Sequence, residues 1–425
     1  MATQCDFEFI HAADIHLDSP MRGLARYDGA PIERLANCAR EAFSNLIDYA
    51  IAEHVRFVVI AGDLYDGDWR DFNTGLFFIQ EMGRLRDAGI RVVLLYGNHD
   101  AANVMTRSLD LPANVHSFDH KQPSSIEFDE LGVVFHGQSF ERRDVTDNIA
   151  RAYPAPWPGR LNIGVLHTAL EGNSQHASYA PCTLGELAAK GYDYWALGHV
   201  HQACVLHEQP YIVFPGNLQG RHARECGPKG AYRVSVRDGA IDALEHVACD
   251  VMRWAELNIK ADGIDEAHQL IGRITQALEA AVNDADARTL AARITVTGRP
   301  ACYREIMRDQ EGFIADVRAA AVALAGDRAW VEKVKLKIAP ALDTSDPRRQ
   351  DAVSELAELL TQAGGDETLG AQLRAEFGAL VAKLPAELRA DPELEMVRQL
   401  GDGRLDHILD DLGAYAIAQV TARGD

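Results

Sequence analysis

The sequence predicts an α/β protein whose core strands run parallel. Two observations support this: short apolar runs alternate with amphipathic stretches, and the runs are apolar at consecutive positions. Apolar runs at 7–13, 57–62 and 91–96 are separated by helical stretches at 33–54 and 72–88. Strands joined by helices pair in parallel and are covered on both faces, so every strand position can be apolar. A chain of 425 residues is too long to fold around one small core, and we therefore expect two or three domains.

The elements of the first 250 residues follow from local patterns. Apolar residues in the stretch 33–54 recur with the period of a helix that buries one face. They are Leu35, Ala39, Phe43, Leu46, Ile47 and Ala50. Gly89 closes the second helix, 72–88, at its C-terminal end. Further strands are predicted at 131–137, 161–167, 192–198 and 211–216. The proline-rich stretch YPAPWPG at 153–159 predicts a loop.

The rest of the chain has a different character and suggests a division into 1–250, 251–340 and 341–425. The middle region predicts a small α/β unit with strands at 251–259, 289–298 and 329–338 and helices at 264–283 and 303–325. A linker is expected at 344–349, because it contains proline and polar residues. Helices are then predicted at 350–363, 367–384 and about 393–421.

Composition excludes several classes of protein. An apolar content of 47% with 25% charged residues is typical of a globular chain, and no apolar run reaches the 18 residues of a membrane span. The N-terminus lacks a signal-peptide pattern. The seven cysteines are scattered without a Cys-x-x-Cys pair, which favours reduced thiols in the cytoplasm over a cysteine-built zinc site.

The net charge of −21 argues against broad, nonspecific binding to nucleic acid. The acidity is uneven along the chain: residues 251–340 carry 13 basic and 13 acidic side chains, whereas residues 341–425 carry 8 and 17. Any contact with nucleic acid would therefore depend on local basic residues, on bound cations or on a partner.

Metal-capable side chains follow five of the predicted strands. They are Asp14 and His16, Asp63, Asn98 with His99, His167, and His199 with His201. In open α/β sheets, sites form beyond the carboxyl ends of the strands, so these side chains are expected to share one crevice. Each motif alone is more typical of turn chemistry or of an ordinary hydrogen-bonded histidine. All five together, each at a strand end, indicate a site.

Without His99 this set offers two carboxylates, one amide and four imidazoles. Seven ligands exceed the needs of one tetrahedral metal and fit two adjacent divalent ions. Mixed nitrogen and oxygen donors suit Mn, Fe or Zn better than Mg or Ca, and we expect Mn. Two metals roughly 3.5–4 Å apart can support in-line displacement at phosphorus by an activated water.

These motifs resemble the signature of calcineurin-like metallophosphoesterases. The resemblance rests on Asp14-x-His16, Gly62-Asp63, Gly97-Asn98-His99-Asp100, His167 and Gly198-His199-x-His201. It implies a four-layer α-β-β-α sandwich of two mixed sheets over residues 1–250. Gly-Asn-His-Asp and the stretch FPGNLQGRHARECGPKG at 214–230 resemble the DNA-repair exonuclease branch, in particular its YhaO-type subgroup, related to the SbcD nuclease subunit. In that branch a small α/β capping domain follows, and a C-terminal helical segment docks on an SMC-like ATPase.

The resemblance also implies roles for individual residues. One metal would be held by Asp14, His16, Asp63 and His201, and the other by Asp63, Asn98, His167 and His199. His99 would stand beside the metals as general acid, with the Asp66 carboxylate next to its ring. For Asp100 we expect local hydrogen bonding and no metal.

Basic residues near the crevice are candidates for binding the substrate. Arg221, His222 and Arg224 are expected to contact phosphate, with Lys229 close by in the sequence. Lys333, Lys335 and Lys337 alternate along one predicted strand face, and both DNA contact and a solvated face remain open. The leading function is a metal-dependent DNA exonuclease in repair. A phosphodiesterase for small nucleotides and a non-catalytic subunit of a repair complex are alternatives, and a homodimer remains open.

Overall fold

The computed structural model describes residues 6–19, 31–66, 72–101, 110–170, 179–340, 367–384, 389, 395–402 and 404. The strands are β1 (Phe7–Ala12), β2 (Phe57–Ala61), β3 (Arg91–Leu95), β4 (Val115–Ser117), β5 (Ser124–Phe128), β6 (Val133–Gly137), β7 (Leu161–His167), β8 (Tyr194–Gly198), β9 (Cys204–Glu208), β10 (Tyr211–Phe214), β11 (Gly230–Arg237), β12 (Ala240–Ala248), β13 (Met252–Lys260), β14 (Thr289–Gly298) and β15 (Ala329–Ile338). The first seven helices are α1 (Ile32–Ala52), α2 (Phe72–Asp87), α3 (Asn98–Ala101), α4 (Leu184–Ala189), α5 (Ala267–Asp284), α6 (Tyr303–Arg308) and α7 (Gln310–Ala325).

The first sheet has six strands in the order β12-β11-β1-β2-β3-β4. Strands β1 to β4 pair in parallel, as the alternation of strands and helices predicts, and β11 adds to β1 in the antiparallel sense. Every residue of β2 is buried, which explains why its sequence is apolar at consecutive positions.

The second sheet also has six strands, in the order β5-β6-β7-β8-β10-β9. Its four central strands pair in parallel, whereas β5 and β9 close the two edges in the antiparallel sense. All seven residues of β7 are buried. Both sheets are therefore mixed, as the family resemblance implies.

The core between the two sheets is rich in aromatic rings. Phe57 of the first sheet stacks on Phe9 with ring centroids 4.7 Å apart and meets Phe135 of the second sheet edge-on at 5.0 Å. On the outer face of the first sheet, α1 and α2 bury Phe43 and Phe78. On the outer face of the second sheet, Leu187 of α4 and Trp195 of β8 are buried in a separate apolar cluster. Helix, sheet, sheet and helix thus form the four layers, and this prediction is confirmed.

A third sheet has three strands in the order β13-β14-β15. The predicted strands at 289–298 and 329–338 match β14 and β15, but the single helix predicted at 303–325 is wrong. The chain breaks at Asp309, whose carboxylate accepts a hydrogen bond of 2.9 Å from the Gly312 amide. This side chain caps the start of α7, so one apolar pattern contains two helices.

Contacts divide the chain into two compact units. One comprises Met1–Leu257, Thr275–Ile294 and Arg318–Lys333, and the other comprises Asn258–Ile274, Thr295–Val317 and Val334–Asp425. The boundaries at 250 and 340 stay a prediction.

Part of the predicted helical tail is described. A helix spans Glu367–Ala382, within the predicted 367–384, and a second spans Glu395–Gly401, within the predicted 393–421. The linker at 344–349, the helix at 350–363 and most of the last predicted helix lie outside the described residues, whereas Asp402 and Arg404 are described and are not helical. Within the described part of the chain, no helix is both long and apolar enough to cross a membrane.

Candidate active site

The five motifs all lie just beyond, or at the end of, a strand. His167 is the last residue of β7, and Asn98 opens the short helix α3 three residues after the end of β3. Asp14, His16 and Asp63 have φ angles of 50°, 48° and 52°. This left-handed conformation is unfavourable for residues other than glycine. Such backbone strain concentrates at functional sites.

Backbone hydrogen bonds hold the strained loops together. The Asp14 amide donates to the Gly62 carbonyl and the His16 amide donates to the Asp63 carbonyl, each at 3.0 Å. The loop after β1 is thereby fixed to the loop after the neighbouring β2.

A first group of donors comprises Asp14, His16 and His201. One ligand atom from each residue lies within 4.8 Å of the others. The Nε2 atoms of His16 and His201 are 3.1 Å apart. The Asp14 carboxylate also accepts from the His199 amide at 2.9 and 3.1 Å, which fixes it beside the loop after β8.

A second group comprises Asp63, His167 and His199, again with ligand atoms within 4.8 Å of one another. His167 Nε2 lies 2.9 Å from Asn98 Oδ1 and 3.3 Å from Asp63 Oδ2. The two groups bring together six of the seven side chains for which the resemblance implies metal binding, and the assignment of ligands to each ion stays a prediction. The shared role of Asp63, as a ligand of both ions, stays a prediction.

Both groups have the donor chemistry that a divalent cation requires. His167 Nδ1 donates to the Ala61 carbonyl at 3.0 Å, so in a neutral ring the lone pair of Nε2 faces two oxygen atoms. Burial lowers the pKa of His167, but the Asp63 carboxylate outweighs it and the pKa rises to about 9. The lone pairs of His167 Nε2, Asn98 Oδ1 and Asp63 Oδ2 converge, and positive charge is favoured at the point where they meet. The residues therefore fit bound metal ions.

Glycine is required where these loops approach most closely. A Cβ atom on Gly97 would collide with the Asp63 carboxylate, and one on Gly198 would collide with the Ala61 carbonyl. Only glycine allows the backbone to pass so close to these groups.

His99 and Asp66 form a pair beside the metal-capable groups. His99 Nδ1 lies 2.9 Å from Asp66 Oδ1. Burial opposes the charged ring, but the hydrogen bond to Asp66 prevails and raises the pKa of His99. The geometry thus places a carboxylate where the resemblance implies one. His16, Asp66 and His99 also form a third group with ligand atoms within 4.8 Å, so the role of His99 as acid stays a prediction.

Asp100 serves the backbone around the site. Its carboxylate accepts hydrogen bonds from the amides of Leu64, Tyr65 and Gly97 at 3.1, 2.8 and 2.9 Å. The expectation of local hydrogen bonding is confirmed. The same carboxylate links the loop after β2 to the loop after β3, which carry Asp63 and Asn98.

Of the three predicted substrate-binding residues, Arg221 lies beside Asp66, whereas the other two are exposed to solvent. Arg221 points its Nη1 at Asp66 Oδ2, 3.8 Å away, and at Ser19 Oγ, 3.4 Å away. His222 and Arg224 are exposed. Lys229, which clusters with them in the sequence, is buried and donates to the His201 carbonyl at 2.9 Å. Phosphate contact by Arg221, His222 and Arg224 stays a prediction.

Sequence reasoning missed Glu225, although it stands within the stretch that carries the resemblance. Its Oε1 lies 2.7 Å from His201 Nδ1. Burial raises the pKa of Glu225, but the His201 hydrogen bond and neighbouring positive charges hold it below its ordinary value. A lone acidic residue in a loop gives no local sign of such a contact.

Comparisons with known proteins agree with this site. Residues 7–203 match the calcineurin-like phosphoesterase family, and residues 254–339 match the middle domain of the metallophosphoesterase YhaO. The uncharacterized metallophosphoesterase YhaO of Bacillus subtilis (strain 168) is 38% identical over 251 residues. The alignment spans 58% of this chain and 62% of that protein. One crystal structure covers 57% of this chain and 99% of its own at 11% identity, but its TM-score of 0.32 is too low to support an argument.

The family is one of phosphoester hydrolases that use divalent metals, which agrees with the two donor groups at the strand ends. The first match covers all five motifs, and the second covers β14, β15 and the helices between them. The chain therefore contains a calcineurin-like metallophosphoesterase domain followed by a YhaO-type middle domain.

Proposed function

We propose that this protein is a metal-dependent DNA exonuclease that acts in DNA repair. The observation that carries the proposal is the convergence of three features in one crevice: two metal-capable donor groups, the His99–Asp66 pair and the Arg221 guanidinium. Together they supply charge neutralisation, a proton donor and a cationic group for an anionic diester.

Asp14, His16, Asp63 and His201 would hold one ion, and Asp63, Asn98, His167 and His199 the other. When bound, two divalent ions supply an activated water and neutralise charge on the phosphoryl oxygens, with Mn as the expected metal and Fe or Zn as alternatives. His99 would hold a proton on the ring nitrogen opposite the Asp66 contact and donate it to the leaving oxygen. Asp66 orients that ring and favours its protonated form.

A substrate assay distinguishes this function from its alternatives. Purified full-length protein with Mn²⁺ is offered single-stranded DNA, double-stranded DNA and bis(p-nitrophenyl) phosphate, with Asp63→Asn as the inactive control. Release of nucleotides from DNA ends supports the proposal. Hydrolysis of the small ester alone supports a phosphodiesterase for small substrates, and binding of two Mn²⁺ without hydrolysis supports a non-catalytic subunit.

The assignment of Arg221 and Arg224 to DNA has its own test. Replacing both with alanine should weaken binding and flatten its dependence on salt, because fewer counterions are released from the phosphates. Fluorescence anisotropy across a salt series measures the slope, and an unchanged slope contradicts the assignment. His222→Ala extends the series to the third predicted residue.

Partners and location belong to the same proposal. An SMC-like ATPase that docks on the C-terminal helices would supply DNA affinity that a chain of net charge −21 lacks. The scattered cysteines favour a cytoplasmic location, and a homodimer stays a prediction. Co-purification of the full chain with its ATPase partner, with and without residues 341–425, tests the docking assignment.

A further inference from the structure

His201 needs support from outside its own loop. It follows β8 by three residues, and its side chain is 20% exposed, whereas the His16 side chain in the same donor group is 1% exposed. A ligand on an irregular, partly exposed loop can rotate unless other groups fix both its ring and its backbone.

Glu225 fixes the ring. Its Oε1 lies 2.7 Å from His201 Nδ1, while its Oε2 accepts from Asn217 Nδ2 at 2.9 Å and from the Arg221 amide at 2.7 Å. The Asn217 and Arg221 amide groups donate to Oε2. When His201 Nδ1 carries a proton, it donates a third hydrogen bond, to Oε1. His201 Nε2 then keeps its lone pair, on the side of the ring that faces His16 Nε2 at 3.1 Å.

Lys229 fixes the backbone. Its ammonium group donates to the His201 carbonyl at 2.9 Å, and the residue is 4% exposed. The carbonyl of Lys229 accepts from the amides of Cys249 and Asp250, which anchors it between β12 and β13. Space around the His201 carbonyl is also tight, because a Cβ atom on Gly216 would stand 3.0 Å from its oxygen.

We propose that Glu225 and Lys229 are positioning residues that form a clamp on His201 and set the metal affinity of the first donor group. The inference rests on the proposed function, because that function assigns His201 as a metal ligand. Carboxylates that accept from a ligating histidine typically contribute 10–100-fold to metal affinity. The Glu225 contact with the Arg221 amide extends the same support to the loop that presents Arg221 to the crevice.

Titration of metal-stripped full-length protein with Mn²⁺ by calorimetry tests the clamp. Glu225→Ala should weaken one of the two binding sites about 10–100-fold and leave the other unchanged. Glu225→Gln should recover part of the loss, because an amide oxygen can still accept from His201. Lys229→Met should weaken the same site by a smaller factor. Exposed Glu208, on β9, provides the matched control, and Glu208→Ala should bind two Mn²⁺ as the parent does.

A double-mutant cycle separates positioning from general damage to the fold. In a His201→Ala background, Glu225→Ala should cause no further loss of Mn²⁺ affinity, because its effect passes through the His201 ring. Equal losses in both backgrounds would overturn the proposal, as would unchanged affinity in Glu225→Ala alone. A parent that binds two Mn²⁺ through this clamp but leaves DNA intact would refute the nuclease function and retain the clamp.

Discussion

At the scale of single residues, two histidines of the site, His167 and His201, are held in the same way. One ring nitrogen contacts a protein acceptor and the other faces the donor group: the Ala61 carbonyl holds His167, and the Glu225 carboxylate holds His201. The sequence predicts the histidines, since each follows a strand, but not their acceptors. Ala61 contributes only a carbonyl, and it lies 106 residues from His167. Such pairs depend on tertiary structure.

His99 provides the sharpest test of the chemistry at this scale. His99→Ala should lower turnover about 10²–10⁴-fold, the usual contribution of a general acid, and leave the content of bound metal unchanged. Metal analysis of the purified variant accompanies the rate measurement, with exposed His120→Ala as the matched control. Loss of metal would instead make His99 a ligand, as the group of His16, Asp66 and His99 allows.

His11 links stability to pH. It is fully buried and neutral: Nε2 donates to the Leu197 carbonyl, and Nδ1 can accept from the Tyr194 hydroxyl. Burial lowers the pKa of His11 from 6.5 to about 3. Between these values the unfolded chain binds a proton that the folded chain does not. The free energy of unfolding should therefore fall about 1.4 kcal/mol for each pH unit below 6.5 because of this residue.

The variant His11→Leu isolates that contribution. Urea unfolding at pH 7, 6 and 5 should show a shallower decline for the variant than for the parent, even if the variant is less stable at pH 7. Exposed His120→Leu should keep the slope of the parent. Parallel curves for parent and His11→Leu would contradict a buried neutral imidazole.

At the scale of elements, the apolar runs predict the buried parallel strands of the first two sheets, and they miss the inner strand β11 as well as the edge strands β4, β5, β9 and β12. The runs at 57–62 and 161–167 correspond to β2 and β7, which are buried at every position. Sequence reasoning missed β12, where exposed and half-buried positions alternate and polar residues interrupt the run. Its position depends on long antiparallel pairing with β11, from Gly230 with Ala248 to Arg237 with Ala240, and a local window cannot reveal such pairing.

A buried ion pair joins two strands of the third sheet. Arg293 on β14 donates to both oxygens of Glu332 on β15 at 2.8 and 2.6 Å, and the two residues are 7% and 0% exposed. Arg293→Ala should lower the free energy of unfolding by about 3–5 kcal/mol, because it leaves a buried carboxylate without its partner. Denaturant unfolding measures the change. The double variant Arg293→Met with Glu332→Leu should recover most of the loss, and no recovery would contradict an electrostatic origin.

At the scale of the whole molecule, the sandwich explains why separate motifs meet. Parallel strands present their carboxyl ends at the same edge, and the loops after β1, β2 and β3 of the first sheet meet those after β7 and β8 of the second. The sequence could therefore predict one crevice with its donors. It could not predict the order of strands in the second sheet, because a strand's neighbours are set by packing and not by its own pattern.

Metal binding should stabilise the folded chain as a unit, because the two donor groups join loops from both sheets. At a free concentration one hundred times the dissociation constant, each independent site adds about 2.7 kcal/mol to the free energy of unfolding. Urea titrations of metal-stripped protein with and without Mn²⁺ measure this gain. Mg²⁺ should stabilise less, since the groups are rich in imidazole nitrogen. His167→Ala should lose much of the Mn²⁺ effect, whereas His120→Ala should keep it. Equal stabilisation of parent and His167→Ala would show that Mn²⁺ binds elsewhere on the chain.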